Sequence, residues 1–200
     1  MKILWFKKDL RIYDHKPFES LFNDLKLENK TPEETVIPLY VFEPEMWNKS
    51  DYSLRHYQFL VESLSELNCQ LGSIGTNLLF RIGDIQSILY SLNKIEAITT
   101  IYSHQETGNM WSYKRDIELA KWVKKNSINW NQYQQNGVIR GAKDREDWPK
   151  KWMGYMTDTV KEVGYKFNIH NMKSDHFEEA KKYVKIVLPF NQIQKGGRES

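Results

Sequence analysis

Five short apolar runs alternate with segments of helical periodicity, and this alternation leaves few folds open to the chain. The runs span residues 2–6, 36–42, 77–82, 97–102 and 128–133. The first of them is continuously apolar, whereas a strand with one solvated face would alternate apolar and polar residues. A continuous run is typical of a strand buried on both faces of a parallel sheet. Pro38, in the second run, indicates that one ladder position there is not needed or lies at an edge.

Two of the intervening segments are amphipathic helices with recognisable start signals. Residues 54–67 carry one apolar stripe with spacings of three and four, and the stripe begins beside Ser53, a suitable N-cap. Residues 85–95 repeat the pattern behind Asp84, which can cap a helix and favours its positive end. We therefore predict a capped helix in each segment.

Residues 15–27 and 109–125 are also predicted to be helices, and one side of the latter carries Trp111, Ile117, Ala120 and Val123. Strand and helix then alternate four times before a fifth strand. Alternation of this kind, with right-handed crossovers, predicts an α/β fold in which helices cover both faces of a five-stranded parallel sheet. The expected architecture is a three-layer, Rossmann-like domain.

The alternation ends after the fifth run. Residues 148–163 are predicted to form one further helix, opened by Pro149 at a tolerated first-turn position. We expect residues 1–165 to form one α/β domain, which is an ordinary domain size. Residues 166–200 are expected to be a linker towards a further domain that this chain lacks.

Composition excludes several classes of protein. The 29 basic and 26 acidic residues give a net charge of +3, far from the basic excess of a dedicated nucleic-acid-binding domain. One cysteine, Cys69, excludes an internal disulfide framework and a cysteine-rich zinc site. No apolar run approaches the roughly 20 residues of a membrane-spanning helix. We expect a cytoplasmic protein with no membrane partner.

Two polar loops are the candidate ligand site. In an open parallel sheet, ligands bind beyond the carboxyl ends of the strands, where the strand order reverses. If the first strand is central and the fourth lies beside it, residues 7–14 and 103–109 flank that crevice. A polar ligand with an aromatic ring would suit these loops, with nearby rings to stack on it: Trp5, Phe6, Tyr40, Phe42 and Trp47. The alternative for either loop is a capped strand-to-helix turn, in which Arg11 pairs with an internal aspartate.

Several other chemistries lack their motifs. The chain has no G-x-G-x-x-G after the first strand and no G-x-x-x-x-G-K-[ST], so the usual phosphate cradles of dinucleotide and triphosphate sites are absent from the sequence. It also has no G-x-S-x-G elbow. Five scattered histidines predict neither a catalytic triad nor a metal cluster. We expect no catalytic residue and no metal site in this domain.

Read together, the motifs resemble those of the photolyase/cryptochrome family. The opening strand and loop, LWFKKDLRIYDH at residues 4–15, are similar to that family's aromatic strand, basic pair and Asp-Leu-Arg. Further similarities follow in order: VFEP at 41–44, SLRHYQFLVESL at 53–64, LFRIGD at 79–84, ETGN at 106–109 and KRD at 114–116. The resemblance spans about residues 1–156.

The resemblance implies a sheet order of 3-2-1-4-5 and the N-terminal domain of a light-driven flavoprotein. Such a domain holds an antenna chromophore, a folate, deazaflavin or flavin, which passes excitation energy to FAD in a separate helical C-terminal domain. The full-length protein, a deoxyribodipyrimidine photolyase, would use blue light and FAD to split pyrimidine dimers in damaged DNA. This domain alone would not be catalytic.

The resemblance also suggests which residues hold the antenna. Asp9, Leu10 and Arg11 fall in the family's loop beside the antenna pocket, and Arg55 is positioned to brace it. Glu43 and Glu106 are candidate hydrogen-bond acceptors for the chromophore. The complete candidate set is Asp9, Leu10, Arg11, Phe42, Glu43, Arg55, Glu106 and Asn109.

Two alternatives stay open at the level of the sequence. One is the same domain in a cryptochrome-like blue-light photoreceptor, which signals instead of repairing DNA. The other is a stand-alone nucleotide-binding or protein-interaction module with the same sheet topology. The residues that would separate photolyase from cryptochrome are expected in the C-terminal domain.

Overall fold

The computed structural model describes residues 1–27, 35–49, 51–138, 146–158, 172–185 and 196–197. The strands along these residues are β1 (Lys2–Phe6), β2 (Val36–Phe42), β3 (Leu79–Ile82), β4 (Thr100–His104) and β5 (Asn129–Tyr133). The helices are α1 (Lys16–Leu27), α2 (Pro44–Trp47), α3 (Leu54–Ser73), α4 (Ile85–Ile95), α5 (Met110–Lys125), α6 (Trp148–Met156) and α7 (Phe177–Lys181).

The five strands form one parallel sheet in the order β3-β2-β1-β4-β5. This order confirms the predicted topology, with β1 central and β4 beside it. Pro38 lies in an internal strand, and the pairing of β2 with β3 begins one residue later, at Leu39 and Leu79. The proline therefore precedes the β2–β3 ladder, while on the other side it lies within the β1–β2 register, opposite Leu4.

Helices cover both faces of the sheet, as predicted. Because successive side chains of a strand point to opposite faces, Leu4 and Phe6 pack into one core with α1 and α3. Ile3 and Trp5 pack into the other core with α4 and α5. All five residues of β1 are buried, which explains the continuous apolar run at the start of the sequence.

Both predicted helix caps are present. Asp84 accepts a hydrogen bond from the Ser87 N–H at 2.8 Å. Ser53 precedes α3, and its own N–H donates to Nδ1 of His56 at 3.2 Å. These caps fix where α3 and α4 begin.

The buried face of α5 is not the predicted one. Val123 is buried as expected, but Ile117 and Ala120 are exposed. The buried set is Ser112, Asp116, Leu119 and Val123. The prediction was wrong because it assigned the apolar residues to the core, whereas Asp116 lies inside, in ion pairs with Lys7 and Arg115.

Residues 172–185, assigned to the linker from sequence, pack against β3. The Asp175 N–H donates to the Phe80 carbonyl oxygen at 3.0 Å, and the ring of Phe177 meets that of Phe80 edge-on at 4.7 Å. Ala180 of α7 is fully buried. This segment covers an edge strand that would otherwise expose unpaired backbone groups.

The last predicted helix begins as expected at Trp148 and is described as far as Met156. Residues 159–163 of that prediction lie outside the described residues, as do 166–171, 186–195 and 198–200 of the predicted linker. Among the residues that are described, no helix is both long and apolar enough to cross a bilayer.

Candidate functional site

A cavity of about 330 Å³ opens above the carboxyl ends of β1 and β2. Its wall is mostly apolar and includes six Trp, Tyr and Phe side chains: Trp5, Phe6, Tyr40, Trp47, Tyr52 and Phe59. Its volume falls in the range of small-molecule sites, roughly 300–1,000 Å³, and a mostly apolar wall with a few polar groups is typical of them. We call it the aromatic cavity.

Trp47 of α2 places an unused hydrogen-bond donor in this wall. Its ring stacks on Phe42 with centroids 4.9 Å apart and lies 4.8 Å from the ring of Tyr52. The indole Nε1 is buried and has no hydrogen-bond partner among the described residues. A buried donor without a partner costs about 1–3 kcal/mol, and this one is shielded from solvent within the wall.

Arg115 of α5 gathers three carboxylates at the polar end of the cavity. Its Nη2 donates to Glu106 at 2.6 Å and to Asp116 at 2.9 Å, and its Nη1 donates to Glu43. All four side chains are buried. Burial lowers the pKa of Arg115, but the three carboxylates outweigh burial and raise the pKa above its ordinary value. The guanidinium therefore stays charged.

Two lysines from the loop after β1 complete the charge balance. Lys7 Nζ lies 3.3 Å from an oxygen of Asp116, and burial lowers the pKa of Lys7 despite this partner. Lys8 Nζ lies 3.3 Å from an oxygen of Glu106. With the guanidinium, three cations face three carboxylates. The polar end of the cavity thus carries little net charge and suits a polar, uncharged edge of a ligand.

Glu43 changes protonation near neutral pH. Burial raises the pKa of Glu43 to about 7, against the opposing effect of Arg115, and Glu106 adds to the rise. A protonated carboxyl donates a hydrogen bond and an ionised one only accepts. Glu43 can therefore meet either kind of group on a ligand.

Asp9 lies at the centre of a buried cluster next to the cavity. Its Oδ1 accepts from the Lys7 backbone N–H at 2.7 Å, and its Oδ2 accepts from His15 Nε2 at 2.7 Å and His104 Nδ1 at 2.5 Å. Burial raises the pKa of Asp9, but the two histidines outweigh burial and hold the pKa well below its ordinary range. One ionised carboxylate thus joins the end of β1, the start of α1 and the end of β4.

The same three side chains are close enough to suggest a metal site, since their ligand atoms lie within 4.8 Å of one another. The distances indicate hydrogen bonds instead. Two ligand atoms of a tetrahedral metal lie about 3.3 Å apart at ordinary bond lengths, whereas His15 and His104 approach Asp9 to 2.7 and 2.5 Å. The Phe18 N–H donates to His15 Nδ1 at 3.2 Å, which leaves the His15 proton on Nε2.

The loops after β1 and β4 meet as expected, but the cavity opens to one side of their junction. β4 continues to His104, two residues past its predicted end. Asp9 and His104 therefore fill the space between the two strand ends. Lys8 and Glu106 extend towards β2 and line the aromatic cavity. The aromatic cavity therefore lies over β1 and β2, and the loops after β1 and β4 line a separate, more polar cavity.

Three of the eight candidate residues line the aromatic cavity: Leu10, Glu43 and Glu106. Asp9 and Phe42 are buried behind them and support the wall through the histidine cluster and through Trp47.

The other three candidates lie at the margin or outside. Arg11 Nε donates to the Asp14 carbonyl oxygen at 3.1 Å, which is the paired arrangement of the capped-turn alternative. Asn109 caps α5 by accepting from the Ser112 N–H at 3.1 Å. Arg55 is exposed in the first turn of α3.

Sequence reasoning missed Arg115 as a site residue, although KRD was among the family motifs. One signal was available. Asp116 lies four residues after Ser112 and three before Leu119, which is the spacing of a single helix face. A carboxylate on the buried face of a helix requires a cation nearby, and Arg115 is adjacent to it.

Comparison with known proteins gives a family. The sequence model of the DNA photolyase family matches residues 2–163. The blue-light photoreceptor PHR2 of Arabidopsis thaliana is 30% identical over 112 residues, 54% of this chain and 23% of its own length. Cryptochrome DASH of Gloeobacter violaceus is 27% identical over 124 residues, 59% of this chain and 23% of its own length. The chain therefore spans about a quarter of the length of these relatives.

Solved structures share the fold. A photolyase from Sulfolobus tokodaii, described with two FAD molecules, superposes with a TM-score of 0.70 at 20% identity, over 99% of this chain and 44% of its own. A cryptochrome from Synechocystis sp. PCC6803 gives a TM-score of 0.71 at 17% identity, over 98% of this chain and 43% of its own.

Replacing Asp9 should destabilise the protein strongly. Asp9→Asn removes the charge that three N–H groups share and turns an amide N–H towards donors. We expect a loss of about 3 kcal/mol or more in the free energy of unfolding, measured by urea denaturation at neutral pH. Asp14→Asn, at an exposed loop position, is the matched control and should change it by less than about 0.5 kcal/mol. Equal effects of the two substitutions would contradict the central role of the Asp9 cluster.

Glu43→Gln should change how stability depends on pH. A carboxyl with a pKa of 4.5 unfolded and about 7 folded keeps its proton longer in the folded state. Its contribution to stability is therefore fully present below pH 4.5 and is lost as the pH rises through 7. The stability of the wild type relative to Glu43→Gln should fall between about pH 5 and pH 8, by at most about 3 kcal/mol. Urea denaturation across this range measures it.

Glu45→Gln is the control for this pH dependence, because Glu45 lies on the exposed side of α2. It should leave the pH profile parallel to that of the wild type. A stability difference between wild type and Glu43→Gln that stays constant, or grows with pH, would overturn the account of Glu43.

Proposed function

The chain belongs to the DNA photolyase family, and we propose that it is the N-terminal light-harvesting chromophore domain of a deoxyribodipyrimidine photolyase. Residues 1–165 are proposed as the antenna domain, and residues 166–200 as the connection to a C-terminal FAD-binding domain. In this proposal the domain collects light, and the chemistry belongs to the C-terminal domain.

The aromatic cavity is the observation that supports the proposal most directly. A flat conjugated ring would stack against Trp47 and Tyr52 and exclude water from the apolar wall. At the other end, Glu43 and Glu106 would meet N–H groups on the edge of the ring.

Folates, deazaflavins and flavins fit this donor and acceptor set. Each is a flat heterocycle with apolar faces and an edge that carries both N–H and C=O groups. Glu43 accepts or donates according to its protonation, so the cavity accommodates each pattern. Binding of one of these chromophores is the proposal, and the titration below distinguishes among them.

The whole protein is proposed to act on damaged DNA with FAD and blue light, from a cytoplasmic location. A second candidate is a cryptochrome-like photoreceptor. It is favoured by the names of the similar proteins, which include a blue-light photoreceptor and several cryptochromes. Blue-light-dependent loss of cyclobutane pyrimidine dimers from DNA, assayed with the full-length protein, would support the photolyase, whereas FAD binding without loss of dimers would support the photoreceptor.

Chromophore binding should be visible as quenching of tryptophan fluorescence, since Trp5 and Trp47 line the cavity. We expect saturable quenching in a titration with at least one of folate, deazaflavin and riboflavin. Glu106→Gln should raise the dissociation constant about tenfold, because it removes a charge-assisted hydrogen bond. Glu118→Gln, exposed on the same helix as Arg115, should bind like the wild type.

Circular dichroism of Glu106→Gln verifies that the variant is folded, so that weaker binding reports on the site. If none of the three chromophores gives saturable quenching, the antenna proposal fails. Saturable quenching that Glu106→Gln and Glu118→Gln alter equally would place the ligand outside the aromatic cavity.

A further inference from the structure

A second cavity, also of about 330 Å³, adjoins the aromatic one, and we call it the polar cavity. Lys8, Arg11 and Thr107 line it, together with Gln135 and Asn136 from the segment after β5. Lys8 and Glu106 line both cavities and form the boundary between them. A ligand whose ring occupies the aromatic cavity could therefore reach the polar cavity with a substituent.

The polar cavity presents mainly hydrogen-bond donors. The Lys8 side chain is 51% exposed, so its ammonium group is accessible to a ligand. Arg11 uses Nε and Nη2 to bind Asp14, and its Nη1 donates to no group in the described part of the chain. The Asn136 amide donates to the Thr107 hydroxyl at 3.3 Å, which holds two further polar groups at the same rim.

The one carboxylate in the polar cavity is neutralised by its own partners. Glu106 Oε2 accepts from Arg115 at 2.6 Å, and Oε1 lies 3.3 Å from Lys8 Nζ. Arg115, which Glu43 and Asp116 share, and Lys8 together reduce the repulsion that Glu106 would exert on an incoming anion. Gly108 leaves room for the Lys8 ammonium group, because a Cβ at position 108 would lie 3.0 Å from Lys8 Nζ.

We infer that the polar cavity is a subsite for an anionic group, a phosphate or a carboxylate, carried on the ligand of the aromatic cavity. Lys8 and the Nη1 edge of Arg11 would bind the anion, and Gln135 and Asn136 would complete its hydrogen bonds. The inference rests on the proposed function, because it assigns the second half of the same ligand. In this inference Lys8 and Arg11 determine specificity, because they make the site bind a charged chromophore more tightly than an uncharged one with the same ring.

Two matched pairs of probes test the subsite. Riboflavin and FMN share a ring and differ by a phosphate, whereas folate diamide and folate share a pteroyl group and differ by two carboxylates, which are amides in the first. Each is titrated into the chain and followed by tryptophan fluorescence at low and high salt. At low salt, we expect the charged member of one pair to bind about tenfold more tightly, through one or two charge-assisted hydrogen bonds. At high salt this difference should be smaller, because salt screens charges on exposed groups. The pair that responds identifies phosphate or carboxylate.

Arg11→Gln should reduce that preference several-fold while leaving the affinity for the uncharged member unchanged, because Arg11 lines the polar cavity and not the aromatic one. Lys8→Gln should also reduce the ratio of the two affinities, and this ratio is its readout because Lys8 lines both cavities. Unchanged binding of the uncharged member verifies that Arg11→Gln is folded, and circular dichroism verifies it for Lys8→Gln. Lys94→Gln is the matched control, because Lys94 lies at the far end of α4 and packs over Tyr90. It should leave the preference as it is in the wild type.

The outcomes separate the subsite from the proposed function. If riboflavin and FMN bind equally, and folate diamide and folate bind equally, the subsite inference is wrong and the antenna proposal stands. A preference for the charged member that neither Lys8→Gln nor Arg11→Gln reduces also overturns the subsite. If no probe binds, the proposed function itself fails.

Discussion

The site depends on one buried carboxylate. Asp9 accepts hydrogen bonds from the Lys7 backbone, His15 and His104, and so holds the end of β1, the start of α1 and the end of β4 together where the strand order reverses. A buried charge of this kind is tolerated only with such partners. Because Asp9 fills the junction of β1 and β4, the loop after β1 directs Lys8 and Leu10 to the β2 side. The aromatic cavity therefore lies over β1 and β2.

A second buried ion network shapes the polar end of that space. Arg115 holds Glu43, Glu106 and Asp116 from three different parts of the chain. Buried ion pairs contribute little net stability compared with an apolar replacement, because each charge loses its hydration. Their value here is geometric, since the network fixes two carboxylates at the cavity and leaves the aromatic wall free to stack. The result is a site of low net charge that suits a flat polar ring.

The sequence predicts the sheet and its helices better than it predicts the arrangement of the site. The continuous run at residues 2–6, the caps at Ser53 and Asp84 and the strand order all follow from local pattern and from the chirality of crossovers. The face of α5 could not be predicted in this way, because apolar periodicity assigns charged residues to solvent, whereas Asp116 is paired inside. Leu10, Glu43 and Glu106 could be named from the family motifs. The arrangement of His15, His104 and Arg115 could not, since their partners lie far away in sequence.

The central claim is that the cavity over β1 and β2 binds a flat chromophore. The most direct measurement is the nitrogen–proton NMR spectrum of the tryptophan indoles, recorded with and without a saturating chromophore and assigned through Trp47→Phe. The account predicts that the Trp47 indole resonance shifts, because Trp47 lines the cavity and a conjugated ring beside it changes the shielding of its N–H. The indoles of Trp148 and Trp152 on α6 should stay unchanged. A shift confined to the α6 indoles, with Trp47 unmoved, would contradict the account.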